Sequence, residues 1–482
     1  MRRGLAREGF ARTVLYWVYA AVATIYGTRF MLQGLGTTLK FDWNRAPIGD
    51  AQVDWVAAQL FLLKQSPYTP EGLAKVGVNG YGFGHPPTTP FWFIPLANLD
   101  YAVFAEFIAL ATIACLMISV WLIATELRLP ARFPTVLLVT GFALTTDWMI
   151  LHLHVIQISE FIAFAYVMGW YYLRRDRQIS GGIALGAACT LKLFPGVLVL
   201  WLLVTRRFKA VAAACVTYGI VAVTMTTGYG FSCWKLFFKQ QEAIAHYWIG
   251  HIRNSSLHGI VIRIFNPVCE VLKGDPMASV SQYNQLPEIP ALKGATLAKI
   301  ASVLCILAGG YLVMKYIRRG PNDARRHQSS LDLVFAFATT LSAFVNPWVW
   351  EHYDVLLIMP MLVCLDSLRH RWTALYEDFA HDELNYGEIL RAIGASLLVL
   401  GGLGTTLWIL QRNSWFRETY YEAYERLIWG GTTPTPEQHH LLHREEVLGW
   451  LQWPSMLLAT GVLLVWGIRA AKKSAPRALP AA

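Results

Sequence analysis

Residues 174–209 read RRDRQISGGIALGAACTLKLFPGVLVLWLLVTRRFK, an apolar run with a basic patch at each end and a single lysine, Lys192, near its middle. Both patches belong on the cytoplasmic side of a bilayer by the positive-inside rule. Only about 28 residues separate them, whereas two full spans need roughly 40. A single span would put the patches on opposite sides. The spacing therefore predicts two short helices meeting near Lys192-Leu193-Phe194-Pro195, with Pro195 opening the second. Broken backbone at membrane depth is stable only where it lines a cavity in the protein, so Lys192 is expected at the floor of one. An ammonium there costs roughly 2.5–3.5 kcal/mol and needs an anionic partner. A lipid phosphate and an internal carboxylate such as Glu160 both meet that need.

The rest of the chain fits the same environment. Of 482 residues, 55% are hydrophobic and only 15% charged, and mean hydropathy is +0.39. A soluble protein carries about a quarter charged residues. Apolar runs near 13–35, 101–124, 133–150, 155–173, 179–191, 194–205, 208–228, 293–315, 329–345, 353–367, 389–410 and 447–469 predict an all-α polytopic membrane protein. It has about twelve transmembrane helices in one domain over 1–482. The Arg-rich start (Arg2, Arg3, Arg7, Arg12) and a two-to-one excess of Lys and Arg on alternate connections put the N-terminus in the cytoplasm. Segments 36–100, 229–292 and 411–446 then become extracytoplasmic loops of a multi-pass protein of the cell inner membrane, and membrane lipids its surroundings. Their many Trp and Tyr fit an interfacial belt or sugar stacking. The net charge of +10 sits in short patches between apolar runs, which argues against nucleic acid. No alternating strands suggest a barrel. The seven cysteines lack CxxC spacing and no metal or cofactor is indicated; Cys233 and Cys269 share one loop, where a disulfide is an open option.

Several strings on the outer side carry chemistry. Pro47–Trp55 puts Asp50 and Asp54 one turn apart on a helix face. Asp50 is a helix N-cap or a general base for a hydroxyl, and Asp54 could share that duty; Asp42 is a weaker third. His85, in Tyr81-Gly82-Phe83-Gly84-His85-Pro86-Pro87, either contacts substrate or satisfies its loop. Arg253-Asn254-Ser255-Ser256-Leu257-His258, with Arg263 beyond, suits phosphate or sugar hydroxyls, although loop Asn and Ser commonly make turns. Asn346–Asp354 gathers Glu351, His352 and Asp354 where a span ends. His152 and His154 are spaced wrongly for a helical metal pair, and Gln157 is a candidate polar contact in the cavity.

In this order the strings resemble glycosyltransferase family 87, polyprenyl-phosphate-mannose-dependent mannosyltransferases of the C-type membrane superfamily. The matching elements are Asp50 with Asp54–Ala58 and Ser66-Pro67-Tyr68, then Phe83–Pro87, His154–Gln157, Gly186–Pro195, Asn254–Gly259 and Pro347–His352. The resemblance covers roughly residues 10–370. Two positions depart from it: Asp54 stands where an aromatic is usual, and His85 where a Tyr often stands. The resemblance implies a hexosyltransferase working on a polyprenyl-phosphate sugar donor and a glycolipid or glycan acceptor. Asp50 would take the acceptor proton in an inverting displacement. Lys192, Arg253 and His352 would stabilise the leaving phosphate, without a metal. Arabinose, aminoarabinose or glucose are alternative sugars. A lipid-linked saccharide transporter or flippase would show paired broken helices in two halves, and this chain shows one with no twin.

Overall fold

The computed structural model describes residues 2–39, 50–69, 71–72, 84–154, 156–248, 254–265, 294–318, 324–349, 351–380, 386–416 and 452–473. Among them the regular structure is helical throughout. The helices are α1 (Arg2–Leu39), α2 (Asp50–Leu62), α3 (Tyr101–Glu126), α4 (Arg132–Leu144), α5 (Asp147–His154), α6 (Ser159–Arg174), α7 (Gln178–Leu191), α8 (Gly196–Val204), α9 (Phe208–Tyr229), α10 (Ser232–Trp248), α11 (Leu257–Phe265), α12 (Ala295–Arg318), α13 (Ala324–Phe344), α14 (Ile358–Ala380), α15 (Tyr386–Phe416) and α16 (Gln452–Lys473). Two 3-10 segments, Thr89–Leu96 and Glu351–Leu357, complete the set.

The apolar helices make this a membrane protein. Three of them, Tyr101–Glu126, Phe208–Tyr229 and Ala295–Ile317, are long and apolar enough to cross a bilayer alone. Others are shorter and lean on neighbours. The run expected at 133–150 is split into α4 and α5 at Thr145-Thr146, whose hydroxyls turn back onto the carbonyls of Phe142 and Ala143 and compete with the helical ladder. The run expected to open at residue 353 begins instead as the 3-10 segment Glu351–Leu357 and continues as α14.

The stretch 174–209 folds as its charges require. α7 ends at Leu191, Lys192 is extended, and Pro195 caps α8. The Arg207 guanidinium donates to the Leu173 carbonyl at 3.2 Å, so the second basic patch lies beside the first. α7 and α8 are therefore a hairpin with Lys192 at its tip. Fourteen residues of α7 rise about 21 Å, less than the hydrocarbon thickness of about 30 Å.

The hairpin's base is tied by charge. Glu126 at the end of α3 accepts from Arg174 at 2.9 Å and pairs with Arg175 at 2.8 Å. Asp332 on α13 meets Arg174 at 3.1 Å and accepts from the Trp170 indole at 2.8 Å. Lys192 sits at the opposite end of α7 from this cluster.

α7 is held against α9 by close backbone approach. A Cβ at Gly182 would lie 2.2 Å from the Ala210 carbonyl oxygen, and one at Gly186 2.6 Å from that of Ala214. Small residues four apart let two membrane helices touch in this way. Gly186→Leu is thus expected to lower the thermal unfolding midpoint of the detergent-solubilised protein by several degrees. Gly196→Ala, with nothing within 4 Å of the added carbon, should leave it unchanged.

Candidate active site

The site is assembled at the tip of the hairpin. α7 ends there with its last carbonyls lacking helical partners. Two threonines at the end of a strap, residues 84–89, that runs into the first 3-10 segment supply donors. The Thr88 hydroxyl donates to the Thr190 carbonyl at 2.7 Å and the Thr89 hydroxyl to that of Leu191 at 2.8 Å. The Trp92 indole donates to the Thr190 hydroxyl at 2.9 Å. Both threonines are fully buried. They fix where the chain leaves the helix, and Lys192 is the next residue.

The other end of the strap is anchored on α2. Both carboxylate oxygens of Asp54 lie 2.9 Å from Nδ1 of His85. A carboxylate only accepts, so Nδ1 carries the shared proton and Nε2 is the ring's other nitrogen. Asp54 has no exposed surface and His85 very little. The Tyr68 hydroxyl donates to the His85 carbonyl, and burial pushes that phenol well above its ordinary range, which keeps it a donor. α2 is itself held from two sides, by Gln59 on the Ala97 carbonyl at 2.8 Å and by the Tyr229 hydroxyl on the Ala57 carbonyl at 2.7 Å. Thus Asp54 and His85, 31 residues apart in the chain, touch each other.

The second 3-10 segment closes the tip. The Lys192 ammonium stands 5.5 Å from the centre of the Tyr353 ring, within cation–π range, and Phe194 meets the same ring edge-on at 5.4 Å. Of the two partners open to Lys192, the internal carboxylate of Glu160 is not the one it meets. Neither Glu160 oxygen has a hydrogen-bond partner among the described residues, because Glu160 faces the interior between helices and Lys192 faces Tyr353.

The Asn254 string joins the same end. Asn254 Nδ2 and the Ser256 hydroxyl donate to the Pro347 carbonyl at 2.8 and 2.9 Å. The Val349 amide donates to Asn254 Oδ1 at 3.0 Å, and the Ser255 amide to the Val349 carbonyl at 2.9 Å. Ser256 also caps α11 by accepting from the Gly259 amide at 3.0 Å. These residues brace the Pro347–Val349 turn that leads into Glu351–Leu357. His258 turns away, its Nδ1 lying 3.1 Å from the Ser302 hydroxyl on α12. Arg263 is buried on α11, and Gln157 is buried in the turn before α6.

For Asp50, Glu351 and His352 the backbone is described and the side chains are not. Asp50 is the first residue of α2, one turn before Asp54. Arg253, Asp42 and Cys269 lie outside the described residues. Among the described residues no three His, Cys, Asp or Glu side chains cluster in a way that could hold a metal. Trp92 reads in the sequence as one aromatic of an external loop and Tyr353 as part of the Asn346–Asp354 string, while Thr88 and Thr89 carry no functional signal there. Adjacent threonines after Pro-Pro read as a turn, and only the fold brings them against a helix end about a hundred residues away.

The sequence model of glycosyltransferase family 87 matches residues 83–343, more than half of the chain. The chain belongs to glycosyltransferase family 87. The match runs from just before His85 through Lys192 and Asn254 into α13, so it contains the strap and the hairpin. It is a membrane glycosyltransferase, with a sugar donor and an acceptor as its substrates. No curated protein matches the chain significantly.

Three outcomes are expected. His85→Ala leaves the Asp54 carboxylate buried without its imidazole and should cost about 3–5 kcal/mol of stability. The Asp54→Ala/His85→Ala double variant should cost less than the sum of the singles, as read from unfolding midpoints. Burial, with Lys299 adding to it, pulls His258 from 6.5 down to about 4. The unfolded chain then binds that proton more readily, so this contribution is full above about pH 6.5 and is lost as pH falls towards 4. His258→Gln should flatten the acid limb of stability against pH over that window.

Proposed function

We propose that the chain transfers mannose from a polyprenyl-phosphate donor to a hydroxyl of a glycolipid or glycan acceptor, with inversion, on the outer face of the cytoplasmic membrane. The observation that carries this reading is the position of Lys192. A cation at the tip of a broken hairpin, clamped by Thr88 and Thr89 and seated on Tyr353, suits the phosphate of a lipid that approaches from within the bilayer. The basic patches at the hairpin's base support a cytoplasmic location for that end and hence an outward tip.

In this reading Asp50 is the base. It removes the acceptor's hydroxyl proton as the oxygen attacks the anomeric carbon. The bond to the phosphate breaks in the same displacement, through an oxocarbenium-like transition state. Negative charge develops on the leaving phosphate, where Lys192, Arg253 and His352 stabilise it. His85, Gln157, Asn254, Arg263 and Glu351 belong to the surrounding donor and substrate region, and His258 supports it through α12. Asp54 is a positioning residue. Its carboxylate is enclosed against His85, and it acts by holding the strap that sets Lys192.

Asp50→Asn is expected to cut transfer by roughly 10²–10⁴-fold, the range for general-base catalysis, with donor binding near that of the unaltered protein. Undiminished turnover would remove Asp50 from that role. Lys192→Ala should weaken binding of polyprenyl-phosphate mannose more than binding of acceptor, and equal donor affinity would remove Lys192 from the phosphate. A transfer assay over mannose, glucose, arabinose and aminoarabinose donors tests the sugar.

A further inference from the structure

Glu160 lies in the first turn of α6, inside the helical bundle. It has no exposed surface, and neither carboxylate oxygen has a hydrogen-bond partner among the described residues. It lines a small cavity of about 20 Å³ together with Ser119 of α3 and Thr339 of α13. The hydroxyls of those two residues are also buried and without partners among the described residues. Apolar side chains make up most of the remaining wall, including Val355 and Leu356 of the second 3-10 segment and Met359 of α14. Among the described residues no Lys, Arg or His lines it.

Residues of three helices that carry four unpartnered oxygens thus line a space with room for one water-sized body. A bare carboxylate in an apolar interior is too costly to persist, and intramembrane carboxylates mark functional sites by default. One carboxylate balances one positive charge, so a divalent ion would leave the cavity charged. The donors are all hard oxygens, the kind that hard cations take. We propose that this cavity binds a single sodium ion through Glu160, Ser119 and Thr339, and that the ion braces the segment Glu351–Leu357 packed on it. This is independent of the transfer reaction proposed above, because binding is read by stability rather than by activity.

The test is the thermal unfolding midpoint of the full-length protein in detergent, at fixed pH and ionic strength. Sodium chloride is exchanged for N-methyl-glucamine chloride. A ligand that binds only the folded state raises its midpoint, so sodium should add a few degrees and Glu160→Gln should abolish the dependence. Thr339→Val keeps the carboxylate and should move the response to higher sodium concentration, which preserves the test if Glu160→Gln does not fold. A midpoint indifferent to sodium would mean that the carboxyl keeps a proton beside a water, and would overturn the proposal. So would a sodium response that Glu160→Gln leaves in place, or one that Thr339→Val leaves at the same sodium concentration.

Discussion

A helix that stops inside a bilayer must hand its last carbonyls to donors other than water. That constraint organises this protein. α7 stops at Leu191, and the hydroxyls of Thr88 and Thr89 meet the carbonyls of Thr190 and Leu191. The same two bonds bind residues far apart in the chain, bring the strap from α2 onto the hairpin, and fix the exit direction of Lys192. Without them the break would be an open wound in apolar surroundings. With them it becomes a rigid tip carrying a charge.

The surrounding pieces are stitched to that tip by short, local contacts. Asp54 and His85 secure the far end of the strap. Tyr353 supports the lysine from the second 3-10 segment, and Asn254 and Ser256 secure the turn before it. Each contact is modest, since a net hydrogen bond is worth about 0.5–1.5 kcal/mol. Their value lies in burial, because breaking one leaves an unpaired polar group in a dry place. Asp54 and His85, 31 residues apart, join the strap to α2 as one unit.

The hairpin was legible in the sequence because charge and length conflict there: two basic patches with too few residues between them allow little else. The helical membrane class was legible from hydropathy, and Lys192 from its cost in an apolar run. The partner of Lys192 was not. The sequence offers a lipid phosphate or the Glu160 carboxylate without deciding between them, and only the fold shows that Glu160 lines a cavity with Ser119 and Thr339 while Lys192 turns to Tyr353. Helix periodicity relates Asp50 to Asp54 but says nothing of contacts across 31 residues, so Asp54 on His85 could not be foreseen. Thr88 and Thr89 carry no signal of their own, because a hydroxyl's partner is decided by tertiary placement.

The most direct measurement is an experimentally determined structure of the protein with a non-reacting polyprenyl-phosphate sugar analogue bound. The account predicts the lipid's phosphate within hydrogen-bonding distance of the Lys192 ammonium, with the sugar's anomeric carbon turned towards the start of α2 at Asp50. A phosphate held elsewhere in the bundle, with Lys192 remote from it, would contradict the account.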